Sequence, residues 1–295
     1  MIDRWRPLDL RGTVAVVTGA SRGGGRGISA VLGQSHCTVY VTGRSTRNGK
    51  RTRNFPWTID ETADLVRERG GEAVAVRCDH TDAHQVKRLF DRIRKEQGRL
   101  DLLVNNVWGG YERNEAGLPE GDFWEQPLWQ WDAMFEAGLR AHLLSSYYAI
   151  PLMLPQHRGL IVNTIAWDRG KYLHQVFYDL AKQSIRRLAY DLSIELRPKG
   201  ITSIALAPGF MRSELVMEAY RKHPEAFESP PFDIPHTEST EYIGRAVACL
   251  AADPHVLRRS GSVLNVGDLA RAYDFTDTDG RLIAPWKMPT QMERD

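Results

Sequence analysis

Short aliphatic, β-branched runs alternate along this chain with longer stretches in which apolar residues recur at helical spacing. Val14–Val17 is the first such run and predicts a short buried strand. It is followed by TGASRGGGRGI (Thr18 to Ile28) and then by Ile28, Ala30, Val31 and Leu32, which open a helical pattern. Thr38–Thr42 (TVYVT), bounded by Gly43, reads as a second strand, and polar Gly43–Pro56 as a loop. Thr58 stands three residues before Glu61, the spacing of a capping box, and predicts a helix to about Arg69, stopped by Gly70 and Gly71. Ala73–Arg77 is a third strand, Ala83–Glu96 a helix, and Leu100–Val104 a fourth strand ending at Asn105 and Asn106.

The second half keeps the rhythm, with interruptions. Gly109–Gln130 reads as an irregular, aromatic-rich insertion, and a long helix is expected from Trp131 towards Pro151. Leu160–Thr164, Ile201–Ala207 and Ser262–Val266 are further strands, with helices over Gln175–Leu196 and Ile243–Ala252. Arg212–Thr240 carries four prolines and reads as a mobile flap. Strands alternating with helices at this pace predict a single doubly wound α/β domain, with ligands at the carboxyl ends of the strands. No repeat or linker divides the chain, so residues 1–295 form one domain, with about 212–240 as a substrate flap and 267–295 as a C-terminal extension.

Composition narrows the partners. At 295 residues, 42% hydrophobic and 26% charged, the chain is an ordinary globular sequence, and its net charge of +2 suits no polyanionic partner. Arg44, Arg47, Lys50, Arg51 and Arg53 form a basic run without interleaved aromatics, more in keeping with a solvated loop or an extended phosphate clamp than with nucleic acid. Cys37, Cys78 and Cys249 lack metal-ligand spacing and read as thiols of a reducing compartment. No signal peptide or membrane-length apolar run is visible, which points to the cytoplasm.

The glycine-rich turn carries the first candidate chemistry. A strand, a turn rich in residues free to take positive φ, and a helix whose first amides are unpaired make a cradle for a pyrophosphate. Gly19, Ser21, Arg22, Gly23 and Gly25 are its candidate residues. The second strand is expected to select the dinucleotide. An NAD site usually places an acid at its end, whereas this chain has Gly43 and then Arg44. Arg22 and Arg44 facing the adenosine ribose would pair a 2′-phosphate, so the cofactor expected is NADP. Tyr178 and Lys182, in YDLAK, are four apart and share a helix face. An ammonium near a phenol favours the phenolate, which makes Tyr178 a candidate general acid.

Taken in order, TGASRGGGRGI, CDHTD, Asn105–Asn106, YDLAK and APGFMRS resemble the motifs of short-chain dehydrogenase/reductases from about Leu10 to Val266. FWEQPLWQWD, GLRAH, SIELRPKGI and GDLARAY, together with a C-terminal DTDGR, resemble one subgroup within that family. The resemblance implies a Rossmann-type sheet of seven mainly parallel strands in the order 3-2-1-4-5-6-7, with helices on both faces. It also implies roles. Gly19, Gly23 and Gly25 match the phosphate-loop glycines, with Gly24 where isoleucine is usual, and Asp79 matches the acid at the adenine. Asn105 matches the first Asn of the NNAG motif, here NNVWG, and supports sheet and cofactor. Tyr178 matches the proton donor, and Lys182 the residue that binds the nicotinamide ribose. Pro208–Gly209 matches the turn beside the nicotinamide, and Ser213 a threonine that touches its carboxamide. Pairing through long helices into homodimers or homotetramers is likewise implied.

Two departures stand out. The family's catalytic serine falls at Ala166 or Ile165, in NTIAWD, and its helix-four asparagine at Gly138. Losing one hydrogen-bond donor to a developing oxyanion typically costs about 10²–10³ in rate. Thr164, Asp168 or His174 could replace it, the substrate could bring its own polarising group, or the protein could bind NADP and do little chemistry. Trp108, Trp124, Trp129, Trp167 and Phe177 would either surround an apolar or aromatic substrate or fill the core. The sequence therefore reads as an NADP(H)-dependent oxidoreductase interconverting a carbonyl and an alcohol, with no metal; the alternative is a catalytically impaired NADP-binding sensor or scaffold.

Overall fold

The structure is a computed structural model that describes residues 3–112, 121–173, 175–230 and 232–288. Its strands are β1 (Val14–Val17), β2 (Thr38–Gly43), β3 (Glu72–Arg77), β4 (Leu102–Asn105), β5 (Gly159–Thr164), β6 (Ile201–Ala207) and β7 (Val263–Asn265). They form one sheet in the order β3-β2-β1-β4-β5-β6-β7, every neighbouring pair parallel. The order is the one the motifs imply, and the polarity is uniform rather than mainly parallel.

Side-chain alternation along β1 shows how the sheet is buried on both faces. Ala15 and Val17 join the cluster formed by α1 (Gly23–Gln34), α2 (Ile59–Glu68) and α8 (Thr240–Ala252). Val14 and Val16 point the other way, into the cluster of α3 (Ala83–Gln97) and α5 (Ala141–Met153). A strand covered on both sides must be apolar throughout, which is why these runs do not alternate with polar residues. At α2 the capping box forms as its spacing requires: Thr58 Oγ1 accepts from Glu61 N at 3.2 Å and Glu61 Oε2 accepts from Thr58 N at 2.9 Å.

One helix differs from the sequence reading, and two later segments take definite form. The single helix expected from Trp131 is α4 (Trp129–Met134), a π turn over Phe135–Arg140, and α5, which runs past Pro151 to Met153. A proline in the last turn breaks only a terminal bond, so it does not stop the helix. Within the flap, Ser213 caps α7 (Glu214–Lys222), its hydroxyl accepting from Val216 N. The C-terminal extension opens with α9 (Val266–Tyr273) after α6 (Val176–Leu196) and β7. Among the described residues, no helix is long and apolar enough to cross a membrane.

Candidate active site

A cavity of about 220 Å³ opens at the carboxyl ends of β1, β2 and β4. Its floor is the glycine-rich turn. Gly19 and Gly23 adopt φ of +63° and +56°, conformations that side chains disfavour. Gly25 has another reason to be glycine, since a Cβ there would lie 2.5 Å from Gly19 O and 2.7 Å from Asn106 Nδ2. Arg22 is the N-cap residue of α1, so the amides that follow it face the cavity without helical partners. One of them is already used: Gly23 N donates to Glu214 Oε2 at 2.7 Å. A carboxylate at that amide shows that the turn accepts anionic oxygen.

Ser21, Arg22, Arg44, Asp79 and Ser213 all reach the cavity wall. Arg22 lays its guanidinium over Phe55, 4.8 Å from the ring centroid, and burial pushes its pKa below the ordinary arginine value. Arg44 forms an ion pair with Glu112, an acid that the sequence reading left unassigned in the insertion. Asp79 folds into a local turn, Oδ1 accepting from Thr81 N at 3.0 Å and Thr81 Oγ1 at 2.8 Å. Elsewhere in the basic run, Arg47 pairs with Asp64 on the solvent side.

The two asparagines have separate structural partners. Asn105 is fully buried behind the cavity, its Nδ2 donating to Ser146 Oγ at 2.9 Å and Asn163 Oδ1 at 3.0 Å. It braces the middle of the sheet and does not line the cavity wall. Asn106 does line it, and its Nδ2 reaches Thr18 O and Gly19 O, both at 3.1 Å, fixing the glycine turn to β4. Pro208–Gly209 lies off this wall at the end of β6, where Gly209 N donates to buried Glu238 at 2.9 Å.

Behind the wall residue Trp108, and not lining the cavity themselves, Tyr178 and Lys182 stand together on α6 against the indole. The Lys182 ammonium lies 3.7 Å from the indole centroid, and Tyr178 meets the same indole edge-on at 5.4 Å. Burial pushes Lys182 down to about 7. Tyr178 is raised well above an ordinary phenol, first by burial and then by Tyr111, whose hydroxyl faces it. This departs from the expected easing of its ionisation by Lys182, because the cation faces the indole and burial prevails. The phenol stays protonated at neutral pH.

The replacement donors fare unevenly. Asp168 is buried but turned away, accepting from Met288 N at 2.6 Å, so it holds the C-terminal segment rather than a substrate oxygen. Thr164 is buried at the end of β5, and His174 lies outside the described residues. Gly138, where the asparagine was expected, sits in the π turn, and a Cβ there would lie 2.9 Å from Trp108 Cζ3. The indole occupies the space that a side chain at 138 would need. Of the aromatics, Trp108 belongs to the site, Phe177 is core beside Met134 and Ala181, and Trp124 is 78% exposed. Trp129 is partly buried on α4, and Trp167 stacks its ring under Arg186.

Comparisons with known proteins give the family and the fold. The sequence pattern described as short chain dehydrogenase matches residues 13–224. Dehydrogenase/reductase SDR family member 1 of Mus musculus is 40% identical over 278 residues, covering 92% of this chain and 85% of that protein. Its Homo sapiens counterpart is 38% identical over 283 residues, with the same coverage. Among solved structures, a hydroxysteroid dehydrogenase from Escherichia coli superposes with a TM-score of 0.69 at 21% identity, covering 88% of this chain and 97% of that one. The actinorhodin polyketide ketoreductase with NADPH gives a TM-score of 0.69 at 23% identity, covering 86% and 95%.

Proposed function

The chain belongs to the short-chain dehydrogenase family, and on that footing we propose that it is an NADP(H)-dependent oxidoreductase interconverting a carbonyl and an alcohol. One observation carries the reading: a phenol that stays protonated and a buried lysine share one face of α6 and both pack on Trp108, a wall residue of the cavity whose floor is an anion cradle. The cradle fits a dinucleotide, since its amide already holds a carboxylate and Arg22 and Arg44 share the wall with Asp79. Gly19, Ser21, Gly23 and Gly25 would hold the pyrophosphate, Arg22 and Arg44 the 2′-phosphate, and Asp79 the adenine. Lys182 would hold the nicotinamide ribose, with Pro208–Gly209 and Ser213 beside the nicotinamide and Asn105 bracing the sheet behind. When bound, the nicotinamide supplies or accepts the hydride.

The chain's own part is proton delivery and positioning. In reduction the substrate oxygen gains negative charge, and Tyr178, kept neutral by burial, is the group placed to give it a proton. Ribose hydroxyls beside Lys182 would offset its desolvation, and its charge would then favour the tyrosinate left behind. The substrate proposed is a small carbonyl or alcohol; Trp108 supports an apolar or aromatic one, with less aromatic wall than the sequence suggested. Leu143 and Tyr147 on α5, and Leu180, Tyr190 and Ile194 on α6, are exposed apolar residues that support pairing of these helices in a homo-oligomer.

Ala166, with Asp168 turned to Met288, favours a second reading, an NADP-binding sensor or scaffold with little turnover. NADPH binding and its oxidation against ketones, aldehydes and quinones separate the two. Turnover abolished in Tyr178→Phe with binding retained supports the enzyme. Tight binding without turnover, restored by Ala166→Ser, overturns it.

A further inference from the structure

We propose that the DTDGR segment, Asp277–Arg281, is a clasp that positions the nicotinamide end of the site, with Asp277 as the positioning residue; this rests on the NADP(H) reading above. The segment lies beyond the last strand, and nothing in the proposed chemistry uses it. Its first residue is nonetheless a fully buried carboxyl group. Asp277 Oδ2 accepts from Arg212 Nη2 at 3.1 Å and from Ser239 N at 2.8 Å, while Oδ1 accepts from Thr278 N at 2.8 Å and from the Ser239 hydroxyl. Arg212 and Ser239 stand at the two ends of the flap, so a single carboxylate joins them.

The other end of the segment reinforces that closure. Arg281 donates to the carbonyls of Ile234 at 2.9 Å, Pro235 at 2.6 Å and Thr237 at 3.3 Å. It is held in turn by Asp279, 2.6 Å away. Beside the tied ends, Met211 and Glu238 pair as a parallel bridge, with Glu238 N donating to Phe210 O at 3.0 Å and Arg212 N to Glu238 O at 2.7 Å. The Glu238 side chain also takes Gly209 N. The residue after Arg212 is Ser213, on the cavity wall, and the next is Glu214, on the Gly23 amide. A shift of Arg212 therefore moves Gly209 and Ser213, the contacts expected beside the nicotinamide, and leaves Arg22, Arg44 and Asp79 after the first three strands.

The test compares two ligands of the full chain. NADPH spans the whole site, whereas 2′,5′-ADP reaches the end lined by Arg22, Arg44 and Asp79 and, through its 5′-phosphate, the glycine turn, but not the nicotinamide end. In Asp277→Asn the dissociation constant for NADPH should rise about tenfold while that for 2′,5′-ADP stays within about twofold. Trypsin cleavage after exposed Arg221 and Lys222 should accelerate by about tenfold as the flap opens locally. Arg281→Ala removes the milder half of the clasp and should shift both readouts in the same direction, so a failure of Asp277→Asn to fold leaves the claim open to refutation. Unchanged NADPH binding and cleavage, or equal weakening of both nucleotides, overturns the clasp. If neither nucleotide binds the parent protein, the cofactor reading is what has failed, and the cleavage rates still judge the clasp.

Discussion

Glu214 sets its carboxylate on the Gly23 amide, with 2.7 Å between Oε2 and nitrogen, at the mouth of the helix that the phosphate cradle is built on. A pyrophosphate approaching that amide has to exchange with a side chain of its own charge sign. Carboxylate–helix-terminus interactions are worth up to about 1 kcal/mol at such sites. Glu214→Gln is therefore expected to tighten NADPH and NADH alike by a factor of about 5. Fluorescence titration of both cofactors checks this, and weaker binding by the glutamine variant would mean that Glu214 assists rather than competes.

Arg44 and Glu112 make a different claim. Here the acid neutralises the guanidinium expected to meet a 2′-phosphate, so the pair sets preference between cofactors rather than overall affinity. Glu112→Gln should strengthen NADPH binding several-fold and leave NADH unchanged, while Arg44→Ala should abolish the difference between them. An equal response of both cofactors to Glu112→Gln would place Arg44 away from the 2′-phosphate.

The strands were legible because each is buried on both faces, so their apolar runs needed no tertiary information; β1 sends Val14 and Val16 one way and Ala15 and Val17 the other without changing the pattern. The cradle was legible for a related reason, since Gly19 and Gly25 answer local demands of φ and close approach. What escaped notice depends on residues distant in sequence. Glu112 matters because the insertion folds back on Arg44, and Glu214 because α7 crosses the start of α1. Asp168 stands on the loop after β5, and its bond to Met288, 120 positions away, decides its role. The π turn has no local signal either: Gly138 marks it only once Trp108 is seen against it.

That contact predicts a reciprocal pair of substitutions. Gly138→Asn, which restores the family's usual residue, drives a side chain into the indole and should destabilise by about 1–3 kcal/mol. Trp108→Ala should cost about 3–5 kcal/mol through the space it empties. The double variant should be more stable than the two costs summed, because each change relieves the other. Urea unfolding of the four proteins gives the coupling directly; simple additivity would show that Trp108 does not depend on Gly138 for its place.

Four buried groups set the pH dependence of stability, and their signs oppose. His80, held between Thr42 Oγ1 at 2.8 Å and Ser145 Oγ at 3.0 Å, is pushed by burial to about 4. His142, on Val107 O at 3.2 Å, is pushed to about 3 by burial and then by Lys182. Each has a folded pKa below its unfolded value of about 6.5, so its contribution is complete above that pH and is lost as pH falls. Glu238 is raised to about 8, chiefly by burial with Asp277 adding to it and Arg212 opposing. Its contribution is complete below the ordinary carboxylate range and is lost as pH rises through about 8. Lys182, depressed to about 7, gives the folded state a relative gain as pH rises above that point, and this offsets Glu238. Stability should thus be nearly level from about pH 7 to 8. Below about pH 6.5 two histidine protons outweigh one from Glu238, and stability should fall by up to about 1.4 kcal/mol per pH unit. Urea midpoints between about pH 5 and 8 test the signs. His142→Gln should flatten the acid limb and Glu238→Gln should steepen it to about twice the slope, whereas a slope that neither substitution changes would assign the acid sensitivity to other groups.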